Sequence, residues 1–285
     1  MIDDIDHLIV AVSDLALAKK SLTKIIGSEP VWEGVHEDIG TSNVIFLLSN
    51  TYLELLASTG DGMGSGLVQN FLSNHGEGLM GIVYGVKNLS ISRDGLLKKG
   101  FILPDIINGS GKCNKTGATR NWIYQLLPAE LSRGIFTFII EHKQGSLPKF
   151  EDNSPANVYK LDHVVVQTSD MDSVIDLYRD TFNIRLALDK FVEHWNRRMA
   201  FFRLNKTTIE VVEMKDKENS HDKLWGIALE VKSLANAHAR LIREKVTVSE
   251  VKPGVKENTL VCTIKSENCG IPTVSYTHLR AHETG

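Results

Sequence analysis

The sequence contains little cysteine and no long apolar run. Its three cysteines, Cys113, Cys262 and Cys269, match neither a disulfide framework nor the spacing of a zinc site. We therefore expect free thiols in a reducing, cytoplasmic environment. No apolar segment approaches the roughly 18 residues that a membrane-spanning helix needs. The acidic first residues also lack the basic region with which a secretory signal peptide begins.

An excess of charge of one sign is missing as well. The sequence has 32 Lys and Arg residues against 35 Asp and Glu residues, and both signs are interspersed. This balance argues against nucleic acid or an anionic membrane as the partner, because both attract basic surfaces. With 42% hydrophobic residues, the composition is that of a soluble globular protein. A length of 285 residues allows two domains, and we expect a small molecule as the partner.

What the sequence does contain is an internal repeat. Residues 5–15 and 161–171 share an Asp-His pair, a run of apolar residues and a Ser-Asp pair, at an offset of 156 positions. Glu54 and Glu210 lie at the same offset, each within a short apolar segment. Two separate matches at one offset indicate that the two halves of the chain are related.

A second pair of segments also matches. Residues 81–89 resemble residues 226–234, so the chain has the order A, B, A′, B′. We predict two domains, at 1–145 and 158–273. The linker between them, at 146–157, contains proline and polar residues without apolar periodicity.

Each of the four segments predicts the same order of elements: a strand, a helix and three further strands. In the first segment, the apolar run 5–12 predicts a buried strand. Ser13 is the expected N-cap of the following helix, and Gly27 is expected to end it. Ser169 is the corresponding cap in the second half. The glycine-rich stretch 60–66 predicts a flexible connection, since it lacks the ending of a phosphate-binding loop.

Four βαβββ modules, paired as two and two, resemble the vicinal-oxygen-chelate superfamily. The first half resembles its glyoxalase-like domain family in residues 40–43, 76–79, 122–124 and 138–141. The second half resembles another domain of the same superfamily in residues 201–204, 225–226 and 269–273. The resemblance implies an α+β fold of two glyoxalase/bleomycin-resistance/dioxygenase-like domains, each built from two modules.

The end of the sequence has a different character. Residues 274–285 resemble a translated sequencing adapter, so we expect their polar side chains to have no part in a functional site. This interpretation predicts that the last strand of the second domain, which begins at about residue 270, is truncated near Thr273.

The superfamily resemblance also implies a divalent metal held by the first and last strands of the modules. Carried over to this chain, the pattern gives His7 and Glu54 in the first domain and His163 and Glu210 in the second. Other expected positions carry residues that do not ligate metals, namely Gly81, Phe138 and Gly226. Imidazole with carboxylate suits Fe, Mn, Ni or Zn, but two ligands do not make a closed site. We therefore expect either one divalent metal or none.

Each His and Glu pair also has a simpler interpretation, as a hydrogen-bonded polar pair in the cavity or as a metal-free general base. His36 lies in a loop that can reach the cavity. Trp195 and Arg197 belong to a basic and aromatic loop that suits an anionic substrate such as a carboxylate. We name these three residues as candidate substrate-binding residues. The alternative for all three is a solvated turn.

Three hypotheses follow for the function. The first is an enzyme of the lyase, isomerase or dioxygenase type that acts on a small carbonyl or vicinal-oxygen compound. The second is a metal-free protein of the bleomycin-resistance type that binds or sequesters a small molecule. In the third, one domain is catalytic and the other closes the cavity or forms a homodimer. The repeated His and Glu favour an enzyme, and the repeated glycine favours a binding protein.

Overall fold

The computed structural model describes residues 2–214 and 221–278, and its elements follow one order four times. Module A contains β1 (Asp4–Ala11), α1 (Leu15–Ile26), β2 (Trp32–His36), β3 (Thr41–Leu47) and β4 (Tyr52–Ser58). Helix α2 (Met63–His75) leads to module B, with β5 (Gly78–Gly85), α3 (Leu89–Lys98), β6 (Ile107–Cys113), β7 (Thr119–Leu126), α4 (Ala129–Ser132) and β8 (Phe136–Gln144). Module A′ contains β9 (Val158–Thr168), α5 (Met171–Ile175), β10 (Arg185–Val192), β11 (Arg197–Leu204) and β12 (Thr207–Glu213). Module B′ contains β13 (Lys223–Val231), α6 (Leu234–Arg243), β14 (Lys252–Pro253), β15 (Thr259–Ile264) and β16 (Thr273–His278).

In every module the first strand is followed in the sheet by the fourth, third and second. The orders are β1-β4-β3-β2, β5-β8-β7-β6, β9-β12-β11-β10 and β13-β16-β15-β14. The first and fourth strands pair in parallel in modules B, A′ and B′. Strands β1–β8 belong to one sheet and strands β9–β16 to another. The α+β fold of four paired βαβββ modules is confirmed.

Helix α1 shows how the sequence specifies one of these modules. Its buried apolar residues Ala18, Leu22, Ile25 and Ile26 recur at helical spacing, and the helix packs on β3 and β4. Gly27 ends the helix in the left-handed conformation that a residue without Cβ adopts at little cost, as predicted.

The N-caps predicted at Ser13 and Ser169 are wrong by one residue. Asp14 caps α1 and Asp170 caps α5, each accepting a hydrogen bond from a backbone N–H of the first turn. Ser13 instead donates its backbone N–H and its hydroxyl to one carboxylate oxygen of Glu77. At the N-cap position an aspartate stabilises the helix more than a serine does, because its negative charge also interacts with the positive end of the helix dipole.

The stretch 60–66 is not a flexible connection throughout, because α2 begins at Met63. Val68 is buried on this helix, and the hydroxyl of Ser65 lies 2.7 Å from that of Ser58 at the end of β4. The sequence pattern missed the helix because its glycines have low helix propensity. Tertiary contacts with β4 stabilise it instead.

The described residues form two compact units. One comprises those within Met1–Ile9, Leu79–Ser146 and His163–Trp225, and the other those within Val10–Gly78, Leu147–Asp162 and Gly226–Gly285. Each unit therefore takes most of one module from each half of the sequence. The predicted division at 1–145, 146–157 and 158–273 follows the repeat rather than this compactness, and it stays a prediction.

Charged side chains join the modules within each unit. In the first unit, Nε of Arg133 lies 2.7 Å from Oδ2 of the buried Asp222. In the second unit, Nη2 of the buried Arg240 donates to the carbonyl oxygen of Ile25, at 2.8 Å, at the end of α1. The acceptors of both guanidinium groups offset part of the cost of burying them. For Arg240, whose acceptors are carbonyl oxygens, burial still lowers the pKa.

The last strand, β16, pairs in parallel with β13 and antiparallel with β15. It extends to His278 and so includes residues 274–278, which the sequence assigned to the adapter-like tail. The truncation expected near Thr273 is therefore not seen. The origin of residues 274–278 stays a prediction.

The cysteines and helices bear on the expected environment of the protein. All three cysteines are buried and free. Among the residues that the structure describes, no helix is long and apolar enough to cross a bilayer. The cytoplasmic location stays a prediction.

Gly81 and Gly226 occupy points of close backbone approach. A Cβ atom at Gly81 would lie 2.7 Å from the carbonyl oxygen of Phe136, and one at Gly226 would lie 2.5 Å from that of Pro272. Both distances are too short for a carbon and an oxygen, so neither position accepts a side chain without a backbone shift. The glycine at each expected ligand position is thus a consequence of strand packing.

We predict that Gly81→Ala lowers the free energy of unfolding by roughly 1–3 kcal/mol, because the added methyl group overpacks against backbone. Urea denaturation measures the effect. The control is Gly66→Ala in α2, where no atom lies within 4 Å of the added Cβ. This control is expected to be neutral or stabilising by up to about 1 kcal/mol. Equal stability of Gly81→Ala and the wild type would contradict the packing argument.

Candidate active site

His7 lies on β1 with its imidazole almost fully buried, at 3% exposure. Its Nδ1 atom is 2.6 Å from Oδ1 of Asp6. An ionised carboxylate can only accept hydrogen bonds, so Nδ1 carries the proton of the neutral imidazole and Nε2 is its basic nitrogen. A carboxylate in this position orients a histidine for proton transfer or for ligation.

Asp6 bridges His7 to a second histidine. Its Oδ2 atom lies 2.8 Å from Nε2 of His142, whose Nδ1 is 3.5 Å from Nη2 of Arg120. Burial raises the pKa of the Asp6 carboxyl, but the hydrogen bonds that His142 and His7 donate to it outweigh this effect. The pKa of Asp6 is therefore held well below its usual range, and Asp6 is ionised at neutral pH.

Aromatic side chains lie beside this pair. The ring of Phe138 meets the imidazole of His7 edge to face, with the centroids 6.0 Å apart. Tyr124 and Phe136 contact Phe138 at centroid distances of 5.3 Å and 5.7 Å. All three aromatic rings are only half-buried, so each keeps surface that a ligand can contact. The arrangement offers a basic nitrogen next to an apolar wall.

The positions expected to complete a metal centre do not supply ligands. Phe138 presents its ring to His7, and Gly81 accepts no side chain. Glu141, on the same strand as Phe138, accepts a hydrogen bond from the backbone N–H of Leu89 at the start of α3. Among the residues that the structure describes, no three His, Cys, Asp or Glu side chains are grouped to hold a metal. These residues do not fit a closed divalent-metal centre.

Glu54 and His36 are linked through a residue that the sequence did not single out. Nδ2 of Asn43 donates to Oε1 of the buried Glu54 at 2.5 Å and lies 3.5 Å from Nε2 of His36. Nδ1 of His36 is 3.0 Å from the hydroxyl of Thr41. His7 and Glu54 belong to different compact units, and their action as a metal or substrate pair stays a prediction.

In the second half, the structure brings the predicted residues together. Nε2 of His163 lies 3.6 Å from Oε2 of Glu210, and both side chains are partly exposed. The parallel register of β9 and β12 causes this, because it sets Thr208 opposite His163 and Glu210 two residues further on. Their role as ligands stays a prediction.

The other two predicted residues, Trp195 and Arg197, lie in the connection between β10 and β11 and at the start of β11. Trp195 is 45% exposed in a short turn between β10 and β11. Nη1 of Arg197 donates to the carbonyl oxygen of Glu213 and contacts Sδ of Met214. This guanidinium group is already engaged with the end of β12, so a role in binding an anionic substrate stays a prediction.

The sequence reasoning missed Asp6, His142 and Asn43. Asp6 directly precedes His7, and neighbours on a strand point to opposite faces, so periodicity gave no reason to pair them. His142 left no signal, because it meets Asp6 across 136 positions of the chain. Asn43 did leave one: at the offset of 156, where Glu54 matches Glu210, Asn43 is replaced by Met199.

Comparison with known proteins identifies the class. The glyoxalase-like domain family matches residues 5–182. The glyoxalase/bleomycin resistance protein/dioxygenase superfamily matches residues 162–263. A search of curated proteins found no match. The fold and these matches define a vicinal-oxygen-chelate protein. Because the first match covers more than half of it, the chain belongs to the glyoxalase-like domain family.

Solved structures of low sequence identity share the fold. A mutant of 4-hydroxymandelate synthase from Streptomyces coelicolor is 14% identical, with a TM-score of 0.70 over 99% of this chain and 94% of that one. The Mn(II)-bound glyoxalase from Novosphingobium aromaticivorans is also 14% identical, with a TM-score of 0.63 over 98% and 83%. A hypothetical protein from Staphylococcus aureus is 11% identical, with a TM-score of 0.61 over 97% and 99%. At these identities the likeness shows the fold alone.

One residue near the site makes stability depend on pH. Burial, together with the charges of Asp6 and Asp3, raises the pKa of Asp4 from 3.8 to about 6. A raised pKa in the folded protein means that ionised Asp4 opposes folding. Its stabilising contribution is therefore complete below about pH 4 and is lost as the pH rises through 6.

We predict that Asp4→Asn raises the free energy of unfolding at pH 8 by on the order of 1–2 kcal/mol, allowing for partial exposure. At pH 4 the variant and the wild type should differ little, because Asp4 is then protonated in the folded state. Denaturant unfolding at pH 4, 6 and 8 measures this, with Asp94→Asn on the exposed face of α3 as control. The same gain at all three pH values would contradict the assignment.

Proposed function

We propose that the protein is an enzyme that acts on a small carbonyl or vicinal-oxygen compound, with His7 as the group that moves a proton. The observation that carries this proposal is the buried His7, hydrogen-bonded to the ionised Asp6 and facing Phe138. Family membership supports a small-molecule substrate, as in the glyoxalase and the 4-hydroxymandelate synthase that share the fold.

The chemistry follows from the two nitrogens of His7. Asp6 holds the proton on Nδ1, so Nε2 can accept a proton from a carbon next to a carbonyl group. The imidazolium that forms is stabilised by the ionised Asp6, and Nε2 can return the proton to the product. Proton transfer of this kind serves lyase and isomerase reactions.

The proposed mechanism does not use a metal ion. Gly81 and Phe138 stand where further ligands were expected, so the described residues offer no closed set for Fe, Mn, Ni or Zn. No step is therefore assigned to a metal. The proposal rests on side chains of this protein alone.

A specific observation favours a second function. Phe138, at a position where the superfamily resemblance implies a ligand, forms an apolar wall with Tyr124 and Phe136. Such a wall suits binding of an apolar or aromatic compound without turnover. The alternative function is therefore metal-free binding or sequestration of the bleomycin-resistance type.

We predict that His7→Gln lowers turnover by about 100- to 10,000-fold, the usual contribution of a general base. The assay is a substrate panel of 2-oxoaldehydes, catechols and acyl-CoA epimers. The matched control is His163→Gln, which changes the equivalent residue of the repeat and should keep most of the activity. Asp6→Asn should lose activity nearly as far as His7→Gln, because it no longer fixes the tautomer.

Measurements of metal content and of small-molecule binding complete the test. Mass-spectrometric metal content, before and after incubation with Fe, Mn, Ni and Zn, should stay far below one equivalent in the wild type. Stoichiometric metal that disappears in His7→Gln would overturn the metal-free mechanism. Tight binding without turnover would favour sequestration. If His7→Gln and His163→Gln were equally harmless, the assignment of the site would be wrong.

A further inference from the structure

One face of the sheet formed by strands β2, β3 and β4 carries several polar side chains. Their register aligns three rows across the strands: Trp32, Ile45 and Glu54; Gly34, Asn43 and Leu56; His36, Thr41 and Ser58. Helix α1 packs on β3 and β4. It lies on the opposite face of the sheet, since Lys19 of α1 pairs with Glu33 of β2, which points away from Trp32 and Gly34. Asn43 stands at the centre of the polar face, and Gly34 places no side chain beside it.

In the side-chain amide of Asn43, Nδ2 has a hydrogen-bond partner and Oδ1 has none among the described residues. Its side chain is 3% exposed, and Nδ2 donates to Oε1 of Glu54. The amide orientation is fixed by this contact, since the carboxylate needs a donor. Oδ1 then has no hydrogen-bond partner among the residues that the structure describes. A buried, unsatisfied acceptor costs about 1–3 kcal/mol, so native proteins rarely keep one without a use.

The repeat shows that the fold does not require this asparagine. Strands β2 to β4 form the first meander, and strands β10 to β12 form the equivalent second meander with the same register. Lys190 stands opposite Met199, as Gly34 stands opposite Asn43. Glu210 occupies the position of Glu54 there.

A second polar residue is replaced in the same way. Val192 stands opposite Arg197, as His36 stands opposite Thr41. The same backbone thus folds with valine and methionine where module A has His36 and Asn43. The polar pair is an addition to the fold, and a ligand explains it better than packing.

The neighbours of Asn43 limit what that ligand carries at this point. The amide oxygen is a neutral acceptor, so it calls for a hydroxyl or N–H donor. Trp32, Ile45 and Leu56 on the same face are buried and apolar. A charged group would lose its hydration there, which favours an uncharged donor.

We propose that Oδ1 of Asn43 accepts a hydrogen bond from an uncharged hydroxyl group of a small organic ligand. Glu54 positions the amide through Nδ2, and His36 lies on its other side. The inference rests on the proposed function only in taking the ligand to be a small organic molecule. It requires neither turnover nor metal.

The test compares phenol with anisole, its methyl ether, which keeps the ring and lacks the donor. Ligand-observed NMR titrations of the full chain measure both affinities. The wild type should bind phenol about tenfold more tightly than anisole, as a site with an unpaired acceptor rejects a ligand without the donor. Asn43→Met, which installs the residue of the repeat, should abolish the preference. Asn70→Met on the exposed face of α2 should retain it.

A second measurement does not depend on the variant. In the wild type, phenol should shift the side-chain amide resonances of Asn43, and anisole should not. Equal affinity for the two probes, no binding of either, or a preference that survives in Asn43→Met would each overturn the proposal. Loss of the proton-transfer function in the His7 assays would leave the phenol preference intact, so the two failures are distinguishable.

Discussion

The fold depends on the parallel pairing of the first and fourth strands of its modules. In modules B and B′ this pairing brings the backbones so close that Gly81 and Gly226 accept no Cβ atom. In module A′ it sets His163 beside Glu210. The pairing therefore decides both which side chains meet and where no side chain fits. Backbone packing therefore excludes a ligand side chain at two positions of the expected metal centres, Gly81 and Gly226.

Strands β2–β4 and β10–β12 are equivalent parts of the repeat. Comparing them distinguishes residues that the fold requires from residues that only a binding site would require. Their register is the same, and Glu54 matches Glu210, yet Asn43 is replaced by Met199. The face of β2 to β4 that packs on α1 includes the buried apolar side chains Val44, Phe46 and Leu55. Burial of each large apolar side chain stabilises the fold by about 1.5–3 kcal/mol. The other face carries His36 and Asn43, which the repeat replaces by valine and methionine and which the fold therefore does not require. Function is therefore to be sought on that face rather than in the fold.

The chemistry proposed for His7 follows from the position of one negative charge. A buried carboxylate is costly unless it is paired, and Asp6 is paired with His7 and His142. With Phe138 where a carboxylate ligand was expected, Asp6 is the acidic group that holds His7 through Nδ1. In the proposed mechanism this arrangement holds the proton of the imidazole at Nδ1 and leaves Nε2 to accept a proton from carbon beside an apolar wall.

The sequence by itself determined the repeat, the module order, the superfamily and the matched positions of His7 and Glu54, because these depend on local periodicity and on a constant offset. It could not predict the link from Asp6 to His142 or the unsatisfied oxygen of Asn43. Both depend on strand register, in which a shift of one residue turns a side chain to the opposite face. Register is fixed by packing between strands distant in the chain, so only the tertiary structure decided it.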